Sequence, residues 1–137
     1  MFKGFALLFA VILFGFCFYS LYSANTPALK GYAAEYELYL SAGSFGDNIA
    51  NATDETFAKY KNIKGESCVV TVSYETVIHD FNATHLFSEE IDGGTIYYAY
   101  SPKIKYRAYI NGRAVNLQYY AGSSFNKLGA PLIYGSF

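Results

Sequence analysis

Tryptophan is absent from these 137 residues, cysteine occurs twice and proline only three times. Two cysteines make neither a disulfide scaffold nor a structural zinc site by themselves. Charge is scarce, at 15% of residues against 53% apolar, which excludes a disordered tail or a solvated linker. A basic excess is missing as well. The net charge is -1 and the pI is near 6.1, which speaks against a generic nucleic-acid binder. The chain carries no phosphate-binding glycine loop, no G-x-S-x-G elbow and no C-x-x-C pair. Internal repeats are absent too, and no linker is long enough to split the chain into two domains.

What is there begins with a long apolar run. Phe5 to Tyr22 contains no charged residue and follows Lys3. As a helix it would reach about 27 Å at ~1.5 Å per residue, just short of a ~30 Å hydrocarbon core. Residues 1–24 therefore read as a signal peptide or an N-terminal membrane anchor, and residues 25–137 as a single extracytoplasmic domain. A cut after Ala24 would leave bulky Tyr22 three residues back, a poor cleavage signal. The expected place is the cell membrane with the C-terminal domain outside the cytoplasm, or release after cleavage. Cys68, alone in the β-branched run Ser67-Cys68-Val69-Val70-Thr71-Val72, reads as a small buried filler.

The remainder reads as sheet with one helix. Ala33 to Leu40 alternates Tyr36, Leu38 and Leu40 against Glu35, Glu37 and Tyr39, the pattern of a half-buried strand. Residues 41–48 are a loop by composition, and Thr53-Asp54-Glu55 fits the cap of a short helical turn. Further strands are expected over Phe57 to Lys64, Val69 to Val72, Thr84 to Glu90 and Thr95 to Ser101. Tyr74, Val77, Ile78 and Phe81 share one helical face behind a Ser73 cap. Asp92-Gly93-Gly94 supplies a tight turn, and Asn111-Gly112 joins strands at Ile104 to Ile110 and Arg113 to Tyr120. Pro131 marks Leu128 to Tyr134 as an edge strand. The fold class is α+β. A curved, mostly antiparallel sheet of about five to seven strands carries one helix on one face and follows an N-terminal hydrophobic helix.

Charge is sorted along this domain. Residues 31–101 hold all 11 acids against Lys59, Lys61 and Lys64, whereas 102–137 hold Lys103, Lys105, Arg107, Arg113 and Lys127 with no acid. Two explanations compete: a basic surface for an anionic partner, or basic strands that pair with acidic ones across one sheet. The first makes Lys103, Lys105, Arg107, Arg113, Tyr98 and Tyr119 the candidate binding surface, where tyrosines could flank cations or stack on a ligand. Exposed polar placement is the plain explanation for His79, His85 and Glu89. The alternative is a metal or hydrolytic site, since His85 and Glu89, four apart on a strand, would share a face. No cofactor is expected and no residue is assigned to catalysis. Asn51-Ala52-Thr53 and Asn82-Ala83-Thr84 match the N-glycosylation pattern, which matters only on a eukaryotic secretory route.

Several short stretches carry a resemblance. Tyr36-Glu37-Leu38-Tyr39-Leu40, Gly65-Glu66-Ser67-Cys68-Val69-Val70, Tyr98-Ala99-Tyr100-Ser101-Pro102, Ile110-Asn111-Gly112, Val115-Asn116-Leu117-Gln118 and the closing Gly129-Ala130-Pro131-Leu132-Ile133-Tyr134-Gly135 resemble a short member of the YwmB-like family. The resemblance is clearest over roughly the last 40 residues. It implies a bacterial exported protein with a TATA-box-binding-protein-like fold, and it supplies no catalytic residue to transfer. A fold name does not imply DNA binding, and none is expected here. The expectation from the whole sequence is a non-catalytic, envelope-associated binding or scaffolding module. Its partners would be the membrane, through the N-terminal segment, and an envelope protein or anionic envelope polymer. The alternative is an envelope hydrolase or metalloenzyme using His79, His85 and Glu89.

Overall fold

The structure, a computed structural model, describes residues 2–24, 26–40 and 48–134, with the side chains of the first helix described from Ala6 to Phe18. The chain opens with helix α1 (Phe2–Ala24), 23 residues without proline. Its large apolar side chains between Leu7 and Phe18 are 49–70% exposed. The thirteen described side chains cover about 20 Å at ~1.5 Å per residue. Among the described residues, no helix is long and apolar enough to cross a membrane.

The rest is an α+β domain. Strands β1 (Tyr36–Leu40), β2 (Ile49–Ala52), β3 (Ile63–Val70), β4 (Thr84–Ile91), β5 (Gly94–Tyr100), β8 (Leu117–Gly122) and β9 (Asn126–Ala130) form one sheet. Its order is β2-β1-β3-β9-β8-β5-β4, with every neighbouring pair antiparallel. A separate hairpin, β6 (Ala108–Ile110) with β7 (Arg113–Val115), turns at Asn111-Gly112. Both turn residues have positive φ, 51° and 77°, which asparagine and glycine tolerate best.

The sheet has two covered faces. On the helix side, Tyr36, Leu38, Cys68, Val70, Leu117, Tyr119 and Leu128 pack under Leu29, Phe57, Val77, Phe81, Ile104 and Tyr106. Helix α2 (Tyr74–Asp80) starts as its sequence dictates, with the Ser73 Oγ accepting the Thr76 N–H at 3.2 Å. On the hairpin side, Ile96, Tyr98 and Tyr120 pack with Val115 and Ile133. Cys68 is indeed a buried filler, and burial pushes its thiol up to about 12.

Several expected strands are different in the fold. Phe57–Lys59 is a single 3₁₀ turn that buries Phe57, not the start of a strand; β3 begins only after Asn62 at φ 59°. The proposed helical cap survives in part, because Thr53 Oγ1 accepts the Thr56 N–H at 3.3 Å. The strand expected at Ile104 to Ile110 shrinks to β6, and the one expected at Arg113 to Tyr120 breaks at Asn116, whose side chain is used elsewhere. Pro131 does not mark an edge: β9 lies between β3 and β8 and ends before the proline. The tail then doubles back over its own strand, so that a Cβ on Gly129 would sit 2.6 Å from the Leu132 backbone. That return lets the Ile133 N–H donate to Gln118 Oε1 at 2.6 Å. The loop expected before Asn48 lies outside the described residues.

Candidate functional site

The segment between β5 and β6 is built by side chains rather than by a ladder. Asn116, fully buried, accepts the Ser101 N–H at 2.7 Å and donates to the carbonyls of Ser101 at 2.7 Å and Ile104 at 3.1 Å. Ser101, also buried, donates its hydroxyl to the Phe81 carbonyl at 2.6 Å and accepts the Lys103 N–H at 3.1 Å. Ile104 and Tyr106 then insert into the helix-side core. Lys103, Lys105 and Arg107 alternate with them and are exposed. Lys103 sits in a turn closed by the Ile104 N–H on the Ser101 carbonyl at 3.4 Å, and the chain from there to Arg107 runs outside any ladder.

These three cations are anchored without a direct ion pair to a described carboxylate. Lys103 donates to the Asp80 backbone carbonyl at 3.2 Å, and the Lys105 ammonium lies 5.4 Å from the Tyr106 ring centroid. Arg107 donates to the Tyr100 hydroxyl at 2.8 Å, and its guanidinium carbon lies 5.5 Å from that ring centre. Tyr109, 69% exposed, stands two residues further on. Among the described residues, none of Lys103, Lys105, Arg107 or Arg113 is ion-paired with a carboxylate.

The fifth cation behaves differently. Lys127 is 5% exposed and its ammonium sits 3.0 Å from Glu37 Oε2, across the intervening strand β3. Ser67 donates to the same carboxylate oxygen at 3.3 Å and lies 2.9 Å from the Tyr39 hydroxyl. This network floors a depression of about 430 Å³. It realises the second explanation of the charge sorting, a basic strand joined to an acidic one.

The expected binding surface is thus brought together only in part. Lys103, Lys105 and Arg107 form one row. Arg113 stands on the other side, 5.8 Å from the Phe87 ring centre, and Phe87 stacks on Tyr98. Tyr98 (7% exposed, bonded to Glu89) and Tyr119 (3% exposed) are buried on opposite faces of the sheet. Tyr119 donates to the Val72 carbonyl at 2.7 Å. The tyrosines that accompany the row are instead Tyr100 and Tyr109. Two buried polar residues that touch this segment carry no expectation from the sequence: Asn116, and Glu66, whose Oε2 accepts the Tyr106 hydroxyl at 2.7 Å. An acid at Glu66, in phase with inward-facing Cys68 and Val70, was the available signal.

His79, His85 and Glu89 do not converge. A β-bulge between His85 and Phe87 shifts the phase of β4. His85 consequently faces the helix side, 2.7 Å from the Tyr74 hydroxyl, while Glu89 faces the hairpin side and takes the Tyr98 hydroxyl. The expectation that they share a face is wrong for that reason. His79 and His85 line one groove of about 490 Å³ with Tyr74, Ile78 and Asn82. Burial pushes the Tyr74 hydroxyl up to about 12, so it stays protonated there. Among the described residues, no group of three or more His, Cys, Asp or Glu side chains is placed to hold a metal ion. No protein-family model, no curated protein and no solved structure matches the chain.

Proposed function

We propose that this protein is a non-catalytic binding module of the cell envelope, held at the membrane or exported by its N-terminal segment. Its ligand on this reading is an anionic envelope polymer. The observation that carries the reading is the row Lys103, Lys105 and Arg107: three exposed cations, fixed by buried neighbours, with no carboxylate partner among the described residues. Three exposed cations at alternate positions of one segment suit a chain of repeated anionic groups better than a single small anion. Arg107, forked and hydrogen-bonded to Tyr100, is suited to grip one phosphate oxygen pair. Tyr109 offers a flat, exposed ring beside it.

The place in the cell is supported by the apolar, uncharged run Phe5 to Tyr22 and by the exposure of the large side chains in α1. The resemblance to the exported YwmB-like proteins points the same way. Two experiments test the two halves. Fractionation of the native cell with intact mass of the recovered protein is expected to return it from the membrane or from the extracytoplasmic fraction. A full-length cytoplasmic protein overturns the placement. Replacing Lys103, Lys105 and Arg107 together with Glu is expected to abolish retention of long-chain inorganic polyphosphate, and unchanged retention overturns the binding half.

A further inference from the structure

Glu66 is a fully buried carboxylate in the helix-side core, where its row neighbours on β3 are Cys68 and Val70. Its two oxygens take three donors. Oε1 accepts the Leu29 N–H at 3.2 Å, and Oε2 accepts the Ala28 N–H at 2.9 Å and the Tyr106 hydroxyl at 2.7 Å. Ala28 and Leu29 belong to the tight turn after α1, where the Lys30 N–H meets the Pro27 carbonyl at 3.3 Å. Tyr106 stands between Lys105 and Arg107 in the cationic row.

A buried acid is a poor choice if only packing is needed. An apolar side chain of similar volume often serves stability as well or better, whereas an ion that is fully hydrogen-bonded fixes geometry. Burial raises the Glu66 carboxyl above its ordinary value, while the Ala28, Tyr106 and Leu29 donors and the nearby Lys105 charge act the other way. The arrangement also excludes glutamine on chemical grounds. Each oxygen receives a backbone N–H, so an amide in either orientation turns its NH₂ against one of them.

We propose that Glu66 is a positioning residue: it holds the Pro27–Lys30 turn and the Lys105–Arg107 stretch on one strand, so that this turn and the cationic row keep a fixed relation. The proposal rests on the binding function above, yet part of its test is independent of it. The experiment uses the isotope-labelled full chain in neutral detergent micelles, comparing wild type with Glu66→Gln and Tyr106→Phe. Amide exchange and amide shifts are read first without ligand, and affinity for long-chain inorganic polyphosphate second, at a temperature where all three proteins are folded. Glu66→Gln is expected to speed exchange at Ala28 and Leu29 by about tenfold or more, the loss of roughly one buried hydrogen bond. It is expected to shift the amides of Lys105 to Arg107 in the same sample and to weaken polyphosphate binding about tenfold. Tyr106→Phe removes only the second arm: the 105–107 amides shift and affinity falls, with Ala28 and Leu29 still protected. The inference is overturned if Glu66→Gln frees the turn but leaves the 105–107 amides and the affinity unchanged. Wild-type behaviour of Tyr106→Phe in both respects overturns it equally, and decides the matter if Glu66→Gln does not fold. Failure of wild type to bind polyphosphate defeats the proposed function, while the ligand-free linkage of the two segments still decides the role of Glu66.

Discussion

Lys127 and the row Lys103–Lys105–Arg107 come from the same acid-free third of the sequence but meet opposite fates. Lys127 lies on a central strand, is 5% exposed and is held 3.0 Å from Glu37. The row lies on irregular chain, exposed, with no direct ion pair to a described carboxylate. The difference is one of phase and backbone. On β9 the position of Lys127 faces the acidic strand β1 across β3, so its charge is absorbed by the fold. Between β5 and β6, Asn116 takes over the hydrogen bonds a ladder would have made, and each inward residue throws a cation outward. Charge sorting along a chain therefore contains both a structural and a surface component, and burial separates them.

This contrast can be broken at several points. The largest effect is expected from Asn116→Ala, which removes three buried hydrogen bonds and strips the Ser101 N–H and the Ile104 carbonyl of their side-chain partner. Denaturant unfolding should show a loss of about 3 kcal/mol, and an effect below about 1 kcal/mol would mean the segment does not depend on this clamp. Next comes reversal of the row. Lys103→Glu, Lys105→Glu and Arg107→Glu together should weaken polyphosphate binding by roughly 100-fold while folding stability moves by less than about 0.5 kcal/mol, as expected for exposed positions. Arg113→Glu is the matched control and should change affinity by no more than about twofold, since it stands off the row.

Smaller effects sharpen the other side. Lys127→Met should cost about 2 kcal/mol in unfolding experiments, because it strips a partner from Glu37. The cost stays below that of breaking a fully buried pair, because the Glu37 side chain is 38% exposed and can rehydrate. Polyphosphate affinity should not change; a parallel loss of binding would place Lys127 in the site and erase the contrast. Apart from the Arg113 control, the smallest effect is expected at Tyr109→Ala, about threefold in affinity with stability unaltered, measured by equilibrium titration.

Much of the fold was legible because local signals and tertiary context agreed. The Ser73 cap, the Asn111-Gly112 turn and the inward set Tyr36, Leu38 and Leu40 all appear where periodicity and turn chemistry put them. The failures are places where one residue changes the phase or removes the chain from the sheet. The bulge after His85 sends Glu89 to the opposite face, and no alternation rule reveals such an insertion. Asn116 interrupts two expected strands by satisfying backbone groups with its side chain, and Gly129 lets the tail fold back where a longer strand was expected. For the site, the composition of the row was readable, but its tyrosines were not. Tyr98 and Tyr119 look identical in sequence to Tyr100 and Tyr109, and only packing decides which ring reaches water.

The measurement that tests the central claim most directly is the salt dependence of polyphosphate binding by the full chain in neutral micelles. Three row cations neutralising three anionic groups predict a slope of log K against log salt of about −2, taking ~0.7 per contact for a flexible chain. The Lys103/Lys105/Arg107 triple reversal should remove both the affinity and the slope. A wild-type chain that does not bind, or a triple variant that binds with the wild-type slope, would contradict the account.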